Sequence, residues 1–221
     1  MEGMLVVVFA ASCLISPAVP AQSGFVPLFD GKTTHGWHGF KRTDMPKGWS
    51  AKGGALTFTP GIEGGDISTD KVYGDFDFRF EWRISKGGNS GVMYRADESH
   101  EAAYLTGPEY QILDNLKHPD GRKKETSASS CYGLYAANGV KVKPVGQWNT
   151  GRIVARGNTV EHWLNGVRGV KYTIGSADWN KRMADSKFTA MIDFASLKFG
   201  HIVLQDHGDP VAYRNLRLKK L

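Results

Sequence analysis

GPEYQILD, residues 107–114, decides the reading of this chain. A Gly-Pro turn leads into strict alternation, so as a strand the segment turns Glu109 and Gln111 to one face and Tyr110 and Ile112 to the other. The apolar face calls for a core, which leaves the polar face for chemistry. The same alternation precedes it in YGDFDFRFEWR (73–83), where Phe76, Phe78, Phe80 and Trp82 interleave with Asp75, Asp77, Arg79, Glu81 and Arg83. It returns in HIVLQDHG (201–208), with Ile202 and Leu204 on one side and Val203, Gln205 and His207 on the other. Carboxylates, guanidinium groups, amides and an imidazole thus share the polar sides of strands, as a cleft built on a sheet requires.

Outward from these three stretches, the chain reads as short alternating segments separated by turns. Residues 49–59 form a hairpin around Gly53-Gly54, residues 66–70 a strand and residues 92–95 another after the turn GGNSG (87–91). Strands follow over 131–136, 151–156, 159–164, 167–172, 200–206 and 211–218, and Asn165-Gly166 is the strongest hairpin signal. The one helical candidate is residues 176–186, capped by Ser176. The glycine-rich GIEGGD (61–66) lacks phosphate-loop spacing and has no helix after it, so it carries no phosphate role. Residues 115–130 are charged and aperiodic, a long loop that leaves the 107–114 strand directly and is placed to act as a lid. About a dozen short alternating segments make an all-β sandwich of two antiparallel sheets the economical architecture. In a jelly roll one sheet curves enough to leave a groove on its outer face, which Glu81, Arg95, Glu109 and Gln205 would line.

At 221 residues, with 11% aromatics and 27 glycines, the chain suits one β-rich domain with a substantial core. An apolar run over residues 4–15 is too short to span a bilayer and is followed by Ala18-Val19-Pro20-Ala21, so residues 1–21 read as a secretory signal peptide. The protein is therefore expected in the periplasm or outside the cell, with residues 25–221 as its domain. The n-region carries Glu2 and no basic residue, and Cys13 offers a lipoprotein as the alternative. Removing Glu2 leaves 28 basic against 21 acidic residues, a formal charge of +7. The basic excess is scattered and accompanies no nucleic-acid-binding motif, so no nucleic acid partner is expected. Cleavage also leaves Cys131 as the single cysteine, read as a small buried hydrophobe without a disulfide.

The polar rows admit two-carboxylate chemistry on glycosides, with Glu81, Glu109 and Asp114 as candidates. Parity sets Asp114 on the face opposite Glu109, and Glu81 is as well explained by a salt bridge to Arg79, Arg83 or Arg95. Asn89, beside glycines, is either a turn residue or a substrate contact. The seven histidines are dispersed and no GxSxG elbow exists, so zinc and serine chemistry find no pattern; an oxygen-liganded calcium ion stays open and no cofactor is implied.

In order along the chain, LFDGKTTHGW (28–37), YGDFDFRFEWR (73–83), GGNSGVMYR (87–95), GPEYQILD (107–114), Trp148-Asn149, HWLNG (162–166), LQDHG (204–208) and YRNLRLKKL (213–221) resemble the 3-keto-disaccharide hydrolase domain family. The resemblance implies a concanavalin A-like jelly roll, bacterial and secreted or periplasmic, that acts on carbohydrates already oxidised at C3. For such a substrate the C2 hydrogen is acidic, and a base at C2, a cation at the enolate oxygen and an acid at the leaving oxygen would suffice. Glu109 is assigned to the base, Arg95 to the oxyanion, and His207 to the leaving group or water. Gln111 and Gln205 would hold hydroxyls, with Glu81, Asn89, Asp114 and Trp148 as further substrate contacts, and Asp114 and Asp206 as holders of His or Arg. The rival from another class is a non-catalytic, lectin-like carbohydrate-binding module, which the same architecture serves. The oligomeric state is not legible.

Overall fold

The structure is a computed structural model that describes residues 24–221. The expected signal peptide, residues 1–21, lies outside the described residues. Among the described residues no helix is long and apolar enough to cross a membrane.

Two antiparallel sheets face each other. The larger, eight-stranded sheet runs in the order Val167–Thr173, Thr159–Leu164, Asn149–Arg156, Phe76–Ile84, Val211–Lys220, Ala55–Phe58 and Trp49–Lys52, with Val26–Pro27 also paired to Val211–Lys220. The smaller runs Trp37–Gly39, Ile67–Thr69, His201–Leu204, Asn89–Ala96 and Glu109–Leu113. The last two strands of the chain therefore lie inside a sheet, one in each.

The alternation sets the core. Phe76, Phe78, Phe80 and Trp82 are all buried on the inner face of the larger sheet, opposite Tyr94, Tyr110, Ile112, Ile202 and Leu204 of the smaller. The rings meet across the sandwich, Phe80 on Tyr110 at 5.3 Å and Phe76 on Tyr94 at 6.4 Å between centroids, both edge-on. Each such side chain is worth about 1.5–3 kcal/mol when taken from water, which is what fixes the register of these strands.

The Asn165-Gly166 hairpin forms as expected, with both residues at positive φ, 50° and 85°. The single α-helix among the described residues, Ala177–Ala184, is capped by Ser176, whose hydroxyl accepts from the Trp179 amide. Two expectations differ. Residues 89–91 are not a turn but the start of the Asn89–Ala96 strand, because the chain has already reversed at Lys86-Gly87, with Gly87 at φ 68° and the Gly88 amide donating to the Ser85 carbonyl. Residues 131–136 are not a strand: Cys131 makes isolated bridges to Tyr110 and Tyr135, and Gly133 at φ 71° folds the segment back on itself. Cys131 is buried and free.

Candidate active site

The outer face of the smaller sheet is split in two. One half is sealed by a small apolar cluster of Met93, Ala96, Ala103 and Val203, with Phe40 packed on it. The other half opens into a cavity of about 270 Å³ lined by Asn89, Glu109, Gln111, Gln205 and His207, walled by Tyr104, Tyr132, Lys187 and Phe188.

Its floor comes from three neighbouring strands. Gly91 pairs with Gln111, and Gln205 donates its amide to the Gly91 carbonyl at 2.9 Å. Gly91 has no side chain to raise, and Glu109 lies across it. A Cβ built on Gly91 would stand 2.7 Å from the Glu109 carboxyl carbon. Among the described residues no hydrogen bond reaches the Glu109 carboxylate. Its desolvation pushes the carboxyl up to about 8, the nearby Asp66 and Asp120 charges add to this, and Lys187 opposes it. Asp66 is pushed up to about 7 by burial and by the Asp206 charge, despite the bond its Oδ1 accepts from the Asp206 amide. Glu109 in the cavity lining and Asp66 outside it thus both resist ionisation, the charge of Asp66 acting on Glu109, which is the electrostatic condition for a base or acid working near neutrality.

The amides around them are incompletely used. Asn89 Oδ1, Gln111 Nε2 and Gln205 Oε1 are shielded from solvent without a partner among the described residues. Asn89 is only 4% and Gln111 only 1% exposed, so these atoms are costly as they stand. A polyhydroxylated ligand can satisfy them.

Irregular segments supply the walls. Residues 129–132 run along the free edge of the Glu109–Leu113 strand: the Ser129 amide donates to the Gln111 carbonyl, Gln111 to the Ser130 carbonyl, and Tyr132 to the Glu109 carbonyl. Tyr132 is thereby fixed at the rim, and its hydroxyl donates to Asp120 at 3.2 Å. The 3-10 turn Lys187–Ala190, capped by Ser186, drops Phe188 into the core and holds Lys187 Nζ 4.7 Å from the Tyr132 ring centroid. Opposite, the His207 loop is held by carboxylates. Asp206 accepts from the Gly65 and Gly208 amides, and Asp209 from the Asn89 amide. His207 is exposed, with the His118 ring 6.3 Å away. The segment expected as a lid, residues 115–130, brings His118 and Asp120 to this rim and is tied down, the Ala128 amide donating to Asn115 Oδ1 at 2.8 Å.

The structure brings Asn89, Glu109, Gln111, Gln205 and His207 together and takes four other candidates away. Arg95 does not face the cavity. The ladder slips beside it, pairing Ile202 with Tyr94 but His201 with Ala96, and Arg95 takes a left-handed φ of 52°. This bulge reverses its parity. The buried guanidinium instead donates to the Gly74 and Gly157 carbonyls at 3.0 and 2.8 Å and to Asp75 at 3.0 Å, tying the smaller sheet to the larger at one end of the sandwich. Glu81 has the right parity on the wrong sheet. It faces outward from the larger sheet, where it accepts from Arg214 at 2.8 Å and Asn215 at 2.7 Å; its partner is none of the three arginines expected. Trp148 is on that side too, with Arg214 at 4.1 Å and Arg83 at 4.9 Å over its ring. Asp114 closes the end of its strand by accepting from the Gly87 and Leu116 amides, and Asp206 holds backbone rather than His or Arg. Asp66, Tyr104, Tyr132, Lys187 and Phe188 were not singled out in the sequence.

A larger cavity of about 340 Å³ lies elsewhere, among Leu113, Val142, Pro144 and Val145. Its one carboxylate is Asp114, already committed to backbone, so it lacks convergent chemistry. No group of three or more His, Cys, Asp or Glu among the described residues is disposed to hold a metal ion.

Comparison with known proteins places this geometry among carbohydrate-active relatives. The family described as "3-keto-alpha-glucoside-1,2-lyase-like domain" matches residues 24–219. A 3-keto-disaccharide hydrolase of Bacteroides thetaiotaomicron is 33% identical over 230 residues, covering 90% of this chain and 79% of the relative. A crystal structure from Parabacteroides distasonis, described as a candidate glycosyl hydrolase, superposes with a TM-score of 0.83 at 32% identity, covering 90% of this chain and 94% of that one. At the level of fold alone, the carbohydrate binding module CBM66 of Bacillus subtilis superposes with a TM-score of 0.52 at 14% identity, over 84% of this chain and 96% of that one. The architecture is that of the galectin-like and concanavalin A-like jelly rolls.

Proposed function

This chain belongs to the 3-keto-alpha-glucoside-1,2-lyase-like domain family, and from that premise we propose that it is a glycoside hydrolase whose substrates are 3-keto-glycosides, cleaved by elimination across C1 and C2 followed by hydration. The observation that carries the reading is Glu109: a carboxyl pushed up to about 8, lying over a glycine on the cavity floor, with no hydrogen bond from any described residue. A carbon acid needs a base of raised basicity close to the C–H, and a solvated carboxylate at its ordinary value is poorly matched to that task.

The steps follow from the groups present. Glu109 takes the C2 proton, and the electron pair passes toward the C3 carbonyl oxygen, where the Lys187 ammonium, and not Arg95, is the cation of the cavity wall. The enolate expels the C1 oxygen substituent, which receives a proton from His207, and a C1=C2 double bond forms. Water then adds: the deprotonated His207 takes one proton from it as its hydroxyl bonds to C1, and Glu109, whose acquired proton exchanges with solvent in the open cavity, delivers a proton to C2, so both residues return to their starting states. The sum is hydrolysis, which reconciles a family described by a lyase with a relative named a hydrolase. Asn89, Gln111 and Gln205 hold the ring hydroxyls through the atoms that now lack partners.

The test compares a 3-keto-disaccharide with its unoxidised parent in D₂O. Turnover of the keto sugar alone, with deuterium entering C2 of the released product, is expected. Protium at C2 after correction for spontaneous exchange, together with the absence of a primary kinetic isotope effect for substrate deuterated at C2, would indicate direct displacement at C1 and refute the elimination. Saturable binding of both sugars with no turnover would favour a carbohydrate-binding module instead.

A further inference from the structure

The outer face of the larger sheet carries a row that the reaction does not use. Arg217 pairs with Arg79, Arg79 with Arg152, Arg152 with Trp163, and Trp163 with Arg168, each directly opposite the next on neighbouring strands. Like charges in directly opposed positions destabilise a sheet. Asp77, one row away and with its side chain only 7% exposed, relieves two of them. It accepts from Arg152 at 2.8 and 2.9 Å and from Arg79 at 3.2 and 3.0 Å. On the other side Glu81 is engaged by Arg214 and Asn215. Arg217 is left over. Among the described residues it forms no ion pair, and its Nε is shielded from solvent without an acceptor. Among the described residues the partner of its side chain is the Phe25 ring, 6.0 Å away.

A cavity of about 320 Å³ sits on this row, lined by Arg79, Arg152, Arg217, Trp163 and Thr150 together with Asn215 and Glu81, whose carboxylate is neutralised by Arg214. The indole edge is oriented by a bond from Trp163 Nε1 to Glu161 at 3.1 Å. An indole wall, a hydroxyl, an amide and an unneutralised guanidinium are the groups that hold a sugar ring bearing an oxyanion: the fork of Arg217 matches a carboxylate or a sulfate bidentately. Arg152 and Arg168 lie over the Trp163 ring, 5.1 and 5.8 Å from its centroid, and the indole surface they leave uncovered takes the apolar face of the sugar.

We propose that this groove is a second, non-catalytic binding site for an acidic glycan, recognised through an oxyanion substituent by Arg217 and through its ring by Trp163. It lies on the opposite side of the sandwich from the Glu109 cavity, so a chain held here anchors the protein on a polymer without occupying the reaction site.

The test is affinity electrophoresis and calorimetry on the purified protein with an oligogalacturonide, dextran sulfate, neutral dextran and inorganic sulfate. Retardation by an acidic glycan is expected, weakening as salt rises. It should fall about tenfold or more in Arg217→Gln, the fold-change of one charge-assisted contact. Preference for the oligogalacturonide assigns a carboxylate, and for dextran sulfate a sulfate ester. Glu109→Gln should leave this affinity unchanged, which separates the groove from the cavity. Since Arg217 packs near Phe25, Trp163→Phe serves as the second variant and should weaken glycan but not inorganic sulfate. Equal affinity for neutral dextran, equal affinity for inorganic sulfate, or retention of acidic-glycan binding in both variants would each overturn the proposal.

Discussion

Replacing Glu109 by Gln should make the protein more stable at alkaline pH while removing its base. In the folded state the carboxyl titrates near 8, against an ordinary value of 4.5. A group whose folded pKa is raised holds its proton more tightly folded than unfolded. Its contribution to stability is therefore complete below about pH 4.5, declines as pH rises, and is gone above about 8. At about 1.4 kcal/mol per pH unit the full interval corresponds to roughly 5 kcal/mol. The carboxylate borders an open cavity in which water relieves part of that cost, so a difference on the order of 2 kcal/mol is the working figure. Glutamine keeps the shape and never ionises. Chemical denaturation of both proteins at about pH 5 and about pH 9 should show near-equal stability at the lower pH, and the variant ahead by on the order of 2 kcal/mol at the higher. Asp66, also raised, titrates in both proteins and largely cancels from the comparison. Turnover of a 3-keto-disaccharide should fall by ~10²-fold or more in the variant. Equal stability at both pH values would mean that the carboxylate is solvated as an ordinary glutamate, and the argument for its basicity would fail.

Gly91→Ala tests the floor. A β-carbon there displaces the tip of Glu109 rather than backbone, so the domain should still fold while kcat/KM falls by roughly 10²-fold; a fully active variant would show that Glu109 does not work from this position. The profile of kcat/KM against pH should rise through a group titrating near 8, as the base ionises, and a limb near 4.5 would refute that assignment. Arg95→Ala leaves the Gly74 and Gly157 carbonyls without their guanidinium donor and Asp75 with the Gly157 amide alone, and should cost about 3 kcal/mol in denaturation with KM little changed; a selective loss of activity in a stable variant would return Arg95 to the site. Mass spectrometry of the exported protein should find Gln22 at the N-terminus, and an intact Met1 or a lipid on Cys13 would contradict the signal peptide.

What the sequence disclosed and what it hid follow from one property of strands. Alternation states which residues share a face, so Tyr110 and Ile112 could be set in the core and Glu109 with Gln111 outside it. It does not state which sheet a strand joins, and Glu81, equally polar and equally placed, ended on the far side of the sandwich. It also assumes an unbroken pleat, and the single extra residue at Arg95 was enough to turn a guanidinium from the cleft into a clamp. Lys187, Tyr104 and Tyr132 come from segments with no period, where spacing carries no orientation. Asp66 alone carries a local cue, a carboxylate closing a glycine-rich stretch at the head of a strand, which a phosphate-loop pattern does not register.

The two C-terminal strands have a further consequence for how the molecule comes into being. His201–Leu204 separates Ile67–Thr69 from Asn89–Ala96, and Val211–Lys220 separates Phe76–Ile84 from Ala55–Phe58. Until the end of the chain has been made, each nascent sheet has a vacant lane at its middle, and the catalytic floor lacks Gln205 and His207 beside the paired Asn89–Ala96 and Glu109–Leu113 strands. Pairings of such wide sequence separation are slow to close. Synthesis proceeds at roughly 5–20 residues per second, so the chain spends seconds as an incomplete and unlocked polypeptide. The final score of residues acts as a double key, and no enzyme exists before it turns.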